Sequence, residues 1–317
     1  MSIEENILLA PYTYYKIGGP ARYFLQGDDP LEIAKALREA HAEGLPHFIL
    51  GGGSNILISD KGFNGLVIHP TLKKITREGD VLHVDSGARW QDVVDTATRE
   101  GLQGVEWGQG IPGDMGGAIR GNIGAYYPTV GGTLSDVVAN VRAINHATGE
   151  MYDLAPADVG FDYRHSSFKT HRAGDLVIGA SLKLKPADST ELKRKNIQIQ
   201  TYRDERHPKE PSAGSTFKNI KDKSFIIPFV EANPDIRELY TKRWNGKIPA
   251  AFLIDAIGMR GFRIGGIQVS PKHANFLVNV GGGTAEHVIM MTSTIKQRIR
   301  NKYGIRLQEE IAYVGFD

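Results

Sequence analysis

The chain has 317 residues, 41% of them hydrophobic and 23% charged, with a formal net charge of +2. This is the composition of an ordinary soluble globular protein of two or three domains, and its dispersed charge calls for neither nucleic acid nor a membrane surface. No cysteine is present, which excludes disulfides, thiolate nucleophiles and thiolate zinc sites; no other metal site is expected. The acidic N-terminus and the lack of an 18-residue apolar run predict a cytoplasmic protein.

In chain order, residues 31–44 carry Leu31, Ala34, Leu37 and Ala40 at helical spacing and stop at Gly44. "PHFILGGGSNILISD" reads as a strand, a glycine turn and a second apolar run, followed by the strand "GLVIHP". A further strand leads into a helix bearing Trp90, Val93, Val94 and Ala97. Residues 104–133 are glycine-rich and barely periodic, after which a hairpin turning at Ala147–Gly149 and the strand "DLVIGASLKLKP" resume the pattern. Helices are predicted over 188–206, at "PAAFLIDAIGMRG" and over 284–303, with strands at "GIQVS" and "ANFLVN". The alternating tail "IRLQEEIAYVG" reads as a last strand. The fold class is α+β, in three parts.

The 37 glycines cluster, and clustered glycine marks backbone that something must approach closely. "GQGIPG" at 108–113 matches a dinucleotide fingerprint literally, yet it lacks the buried strand before it and the crossover helix after it. "LGGGSN" at 50–55 can instead turn successive N–H groups toward one anion, which favours a phosphate contact over a plain tight turn. It has no P-loop lysine, so nucleotide hydrolysis is not expected. The long loop "GIPGDMGGAIRGNIGAYYPTVGG" is too apolar for disorder and suits a flat ligand pressed against backbone. Together the two loops suggest a dinucleotide held outside the Rossmann architecture.

One further stretch, "EPSAGSTFKN", sets Ser215 after a glycine with no histidine closer than His207. A nucleophilic serine needs a base within hydrogen-bond reach. No such base is evident beside Ser215, so the stretch by itself leaves open what chemistry this serine could do.

Eight stretches, "YYKIGGPA", "LGGGSNILISD", "GIPGDMGGAIRGNIGAYY", "FDYRHSSFK", "PSAGSTFKN", "LIDAIGMRGFRIGG", "KHANFLVN" and "GIRLQEEI", follow the order seen in bacterial UDP-N-acetylenolpyruvoylglucosamine reductases. The sequence resembles that family along nearly its whole length. The resemblance implies a vanillyl-alcohol-oxidase (PCMH)-type FAD-binding fold of two subdomains plus a third, substrate-binding α+β domain. The expected divisions are 1–69, 70–202 (with the C-terminal strand 305–317) and 203–304. It implies FAD and NADPH as cofactors and reduction of UDP-N-acetylglucosamine enolpyruvate to UDP-N-acetylmuramate, a peptidoglycan precursor, by a monomer. Hydride would pass from the flavin to the vinyl carbon and a proton to its neighbour.

By motif, Ser215 matches the proton donor, and Arg164 and Glu310 match the pair around the substrate carboxylate. A guanidinium meets planar oxygens with two parallel bonds, and an enclosed carboxyl can donate to the same oxygens. The FAD contacts fall at Gly51, Gly52, Gly53, Ser54, Asn55, Ile111, Pro112, Gly113, Gly117, Asn122, Gly124 and Ala125. Substrate contacts fall at Arg203, Arg206, Asn219, Lys247, Arg260 and His273. Two departures stand out: Ile220 replaces the usual proline, which would leave the turn less constrained, and Tyr127 replaces a usual glycine, which would disturb a permissive position. The tyrosine-bearing loop of one subtype is absent, which marks the shorter, second subtype. An FAD-dependent oxidase of the same fold, or a binding module without catalysis, are the competing readings.

Overall fold

The computed structural model describes residues 3–244 and 246–316. Backbone contacts divide the chain into two units, each drawn from separated segments. The first takes the chain up to Leu8, then Pro20–Gly53 and Phe63–Glu205; the second takes Leu9–Gly19, Ser54–Gly62 and the chain from Arg206 onward.

The first unit holds two sheets. In one, the strands run in the order Glu4–Leu8, Pro20–Gly27, Phe63–Pro70 and His47–Ile49, with the last three parallel. Parallel neighbours need a crossover. The helix Pro30–Ala42 supplies one, started by Asp29, whose carboxylate accepts the Leu31 N–H at 2.9 Å. Ile33, Ala34, Leu37 and Ala40 are its buried stripe, and the fully buried Ile33 and Leu37 contribute roughly 2 kcal/mol each. Leu31, expected on that stripe, is 70% exposed because it falls in the first turn, two residues before the buried face begins at Ile33. These residues share a core with Ile144, Leu176 and Ile178.

The other sheet of this unit is antiparallel, ordered Met151–Leu154, Val138–Ile144, Leu176–Lys183, Val81–Asp85 and Ile75–Glu78. The expected hairpin is present. Its core is centred on Trp90, Val93 and Val94 of the helix Trp90–Arg99, with Met115, Ile119 and Trp107 from the glycine-rich stretch. That stretch is therefore packed structure, containing the short helix Met115–Gly121.

The second unit has a four-stranded antiparallel sheet, ordered Ser212–Ser215, Phe276–Asn279, Ile267–Val269 and Arg263–Ile264. The helix Ala285–Tyr303 packs Val288, Met291, Ile295 and Ile299 into a core shared with Tyr15, Ile17 and Leu57. Two N–H groups at its start, Ala285 at 2.9 Å and Glu286 at 3.2 Å, donate to the Asp60 carboxylate.

The tail is shorter than its alternation suggests. Only Ala312–Val314 is a strand, and it pairs in parallel with Ile56–Ile58, not with any strand of residues 70–202. The residues before it are used otherwise: Gln308 and Glu310 hydrogen-bond to the backbone of 216–218. Among the described residues no helix is long and apolar enough to cross a membrane, and no cluster of histidine and carboxylates could hold a metal.

Candidate active site

In the first unit the two glycine loops meet backbone to backbone. A Cβ at Gly51 would stand 2.7 Å from the Asp114 carboxylate oxygens, and one at Gly52 2.8 Å from the Gly113 Cα. Neither position has room for a side chain. Asp114 joins the loops, taking the Gly117 N–H at 2.8 Å and also that of Gly52. It is buried, and burial pushes its carboxyl up to about 6 against the pull of those donors. Residues 113–116 are zipped to 86–90: Trp90 N–H to the Gly113 carbonyl at 3.0 Å, Met115 N–H to Ala88 at 3.0 Å, and Gly116 N–H to Ser86 at 2.8 Å. Gly113 needs its φ of 116° for this path. The Ser86 hydroxyl is buried and makes no hydrogen bond among the described residues. A bare backbone cradle beside an uncommitted hydroxyl fits a phosphate-bearing cofactor.

The same unit carries Arg164 in a tight turn closed by reciprocal bonds of 3.1 Å between Asp162 and His165. Its φ is 56°, a left-handed conformation that costs a non-glycine residue about 1–2 kcal/mol. Strain of this kind persists where surroundings hold it. The guanidinium donates to the Gly124 carbonyl at 2.6 Å, and Lys169 donates to the Arg164 carbonyl at 2.8 Å. Asn122 secures the turn from below: its amide donates to the Asp162 carbonyl at 3.0 Å and accepts the Ser135 N–H at 3.0 Å. The Asn122 side chain is thus engaged within the protein, and Gly124 and Ala125 lie on the strand Gly124–Tyr126.

Arg203 and Arg206 fall on the last turn of the helix Ser189–Arg206. Arg203 donates to the Tyr127 hydroxyl at 3.1 Å, and the Tyr127 ring meets Tyr202 edge-on at 5.4 Å. Tyr127 has no positive φ. It therefore disturbs no permissive backbone, contrary to expectation; its side chain has found a partner instead. A glutamine ladder, Gln91 to Gln109 at 2.9 Å and Gln109 to Gln200 at 3.2 Å, ties the second glycine loop to this helix.

In the second unit Ser215 ends the strand Ser212–Ser215, and the segment after it is gripped from both sides. Thr216 donates its N–H to the Asn275 carbonyl at 2.8 Å and accepts the Glu310 N–H at 2.8 Å. Ser215 and Glu310 are thus linked through the backbone of one residue, Thr216. The neighbouring Glu309 is bound to Lys296 at 2.8 Å, which separates the roles of the two acids. Asn55 is also tied here: its amide donates to the Glu310 carbonyl at 3.3 Å, and its own carbonyl accepts the Ala312 N–H at 3.0 Å. The "GGGSN" motif thus divides, with Ser54 and Asn55 belonging to the second unit.

Ile220 exchanges backbone bonds of 2.9 and 3.0 Å with Ile248. A proline could not donate the first, so the turn is constrained by this pair and the expected loosening is absent. Asn219 accepts the Ala250 N–H at 3.2 Å, and Lys247 donates its backbone N–H to Trp244 at 3.1 Å. Arg260 is held by Asp255 and by the Pro271 and Lys272 carbonyls at 2.8 and 3.2 Å. His273 lies against Phe276, and burial, with the Arg260 charge second, pushes its imidazole down to about 4.

Sequence reasoning missed Asp114 and Asn275. For Asp114 a signal existed, since an aspartate opening a helical turn is a standard N-cap. For Asn275 there was none, because its partners lie some sixty residues upstream.

Family models match two stretches: an FAD binding domain over residues 21–155, and the C-terminal domain of UDP-N-acetylenolpyruvoylglucosamine reductase over 206–314. Among curated proteins, the reductase of that name from Solibacter usitatus is 35% identical, covering 99% of this chain and 97% of its own. The one from Rubrobacter xylanophilus is 32% identical over 97% of this chain and 93% of its own. The crystal structure of UDP-N-acetylenolpyruvylglucosamine reductase from Thermus caldophilus superposes with a TM-score of 0.76, at 28% identity and 99% coverage of both chains. The architecture is accordingly the PCMH-type FAD-binding fold with a further α+β domain. By similarity along its entire length, the chain belongs to the UDP-N-acetylenolpyruvoylglucosamine reductase family.

Proposed function

We propose that this chain reduces UDP-N-acetylglucosamine enolpyruvate to UDP-N-acetylmuramate at the expense of NADPH, as a cytoplasmic monomer. Its cradle of Gly51–Gly53 and Gly113–Gly117 would hold FAD, with Ser54, Asn55, Ile111, Pro112, Asn122, Gly124 and Ala125 adjoining. When bound, FAD supplies the hydride chemistry, taking two electrons from NADPH and passing them to the vinyl carbon. The three-part division, two cofactor subdomains and one substrate domain, is part of the same reading.

The observation that carries it is the joining of Ser215 and Glu310 through Thr216. Ser215 donates its proton to the carbon next to the carboxylate and is restored from solvent. Glu310 and Arg164 meet the substrate's carboxylate, where charge develops as the enolate forms. Fixed donors aimed at developing charge supply much of such a rate enhancement. Arg203 and Arg206 would meet the diphosphate, while Asn219, Lys247, Arg260 and His273 orient the rest of the nucleotide sugar. A neutral His273 suits a hydrogen-bonding role.

Two measurements test this. Purified protein should be yellow, and NADPH oxidation should rise sharply on adding the enolpyruvyl substrate; turnover driven by oxygen alone, indifferent to that substrate, would overturn the proposal. Ser215→Ala should keep flavin reduction by NADPH and lose substrate turnover by about 100-fold or more.

A further inference from the structure

The serine segment departs from ordinary sheet pairing at one point. Ser215 pairs with Phe276, but the next partner of the segment is a side chain. The Asn275 Oδ1 accepts the Phe217 N–H at 3.0 Å and its Nδ2 donates to the Phe217 carbonyl at 2.8 Å. Its own carbonyl takes the Thr216 N–H at 2.8 Å. One residue thus satisfies three of the four backbone polar groups of Thr216 and Phe217. Asn275, Thr216 and Phe217 are all buried, so no water can replace those bonds.

Few residue types can do this. The site demands an acceptor and a donor on a short planar group, which an ionised carboxylate lacks and a carboxamide offers at any pH. Glutamine is too long for the spacing, and a carboxylate would set a negative oxygen against the Phe217 carbonyl. On the opposite side the same segment carries Glu310 through the Thr216 carbonyl and Gln308 through the Lys218 N–H at 2.9 Å. The Asn275 N–H donates to the His273 Nδ1 at 3.3 Å, an acceptor only while that nitrogen is unprotonated.

We propose that Asn275 is a positioning residue for proton delivery: its carboxamide locks the Thr216–Phe217 backbone and so fixes Ser215 and Glu310 as one rigid pair. The inference rests on the reading of Ser215 as the proton donor. It assigns Asn275 no contact with substrate, only control of the serine's placement, where a shift of about 1 Å can cost about 100-fold in rate.

The test follows flavin absorbance through both half-reactions in wild type, Asn275→Asp and Ser215→Ala. Asn275→Asp should reduce its flavin with NADPH within twofold of wild type at pH 8. Its reoxidation by the enolpyruvyl substrate should be about 10- to 100-fold slower. At pH 6 that deficit should shrink, because a protonated carboxyl regains the donor that faces the Phe217 carbonyl. Reoxidation within twofold of wild type at pH 8, or both half-reactions slowing in step, would overturn the positioning role. If Ser215→Ala reoxidises normally, the serine reading itself fails, and this outcome is distinct from a normal Asn275→Asp beside a dead Ser215→Ala. Should Asn275→Asp not fold, amide exchange of Phe217 in the wild-type holoenzyme decides: exchange only by global unfolding is expected, and fast local exchange would refute the lock.

Discussion

The two units hold their functional backbone by opposite means. In the first, glycine loops press directly on each other and close around a buried acid, Asp114. In the second, the serine segment is held at ordinary strand spacing by a neutral carboxamide, Asn275. The first device depends on the absence of side chains and tolerates an awkward charge. The second depends on one side chain and carries no charge. A loop built to let a cofactor approach cannot also be padded with side chains, whereas a segment that must present one hydroxyl can be braced from behind.

The largest effect should come from adding one methyl group to each. Gly52→Ala puts a carbon 2.8 Å from the Gly113 Cα and 3.2 Å from the Asp114 nitrogen, both backbone. We expect loss of bound flavin, read as lost visible absorbance, and destabilisation of about 3 kcal/mol. Gly214→Ala meets nothing within 4 Å but must adopt a φ of +76°, so it should cost only about 1 kcal/mol and keep its flavin. Equal outcomes would abolish the contrast.

Acid titration should separate the devices by sign. Asp114 titrates near 6 when folded, above its ordinary value of 3.8. The folded state therefore binds the extra proton, and this group's contribution to stability rises as pH falls from about 6 toward 4. Measured by denaturant unfolding, wild type should gain on Asp114→Asn over that window by about 2–3 kcal/mol. His273, lowered to about 4 from 6.5, acts the other way: its contribution is full above pH 6.5 and is lost as pH falls toward 4. Wild type should lose ground to His273→Phe across the same range. Parallel curves for either pair would show that the buried group does not titrate as its surroundings demand.

The smallest effect should attend Tyr127→Phe. It removes a single 3.1 Å bond to Arg203 and leaves the ring against Tyr202. The expected result is a two- to fivefold rise in KM for the nucleotide sugar with kcat unchanged, in line with about 0.5–1 kcal/mol for one part-exposed bond.

How much of this was legible in the sequence follows from what each feature depends on. Periodic apolar residues marked the helices Pro30–Ala42 and Trp90–Arg99, because a buried stripe repeats with the helix itself. Clustered glycine marked both loops, because close backbone approach excludes every other residue. What stayed hidden depends on partners far along the chain. Nothing near Asn275 announces that it will stand in for a strand, and nothing in "GAYY" tells that Tyr127 will meet Arg203. Ile220 was misjudged for the same reason, since its partner Ile248 is not a neighbour in sequence. The pairing of Ser215 with Glu310 came from family resemblance, not from spacing.

The parallel pairing of Ile56–Ile58 with Ala312–Val314 has a consequence for how the molecule is made. Synthesis is vectorial, and the second unit gathers residues 9–19, residues 54–62 and the stretch from Arg206 onward. Tyr15, Ile17, Leu57 and Ile58, all but fully buried in the finished fold, cannot be covered until the stretch from Arg206 onward has been made. Contacts this distant also close slowly. The nascent chain therefore carries sticky apolar segments across a long stretch of translation, and a product cut before Ala312 lacks the strand that pairs with Ile56–Ile58.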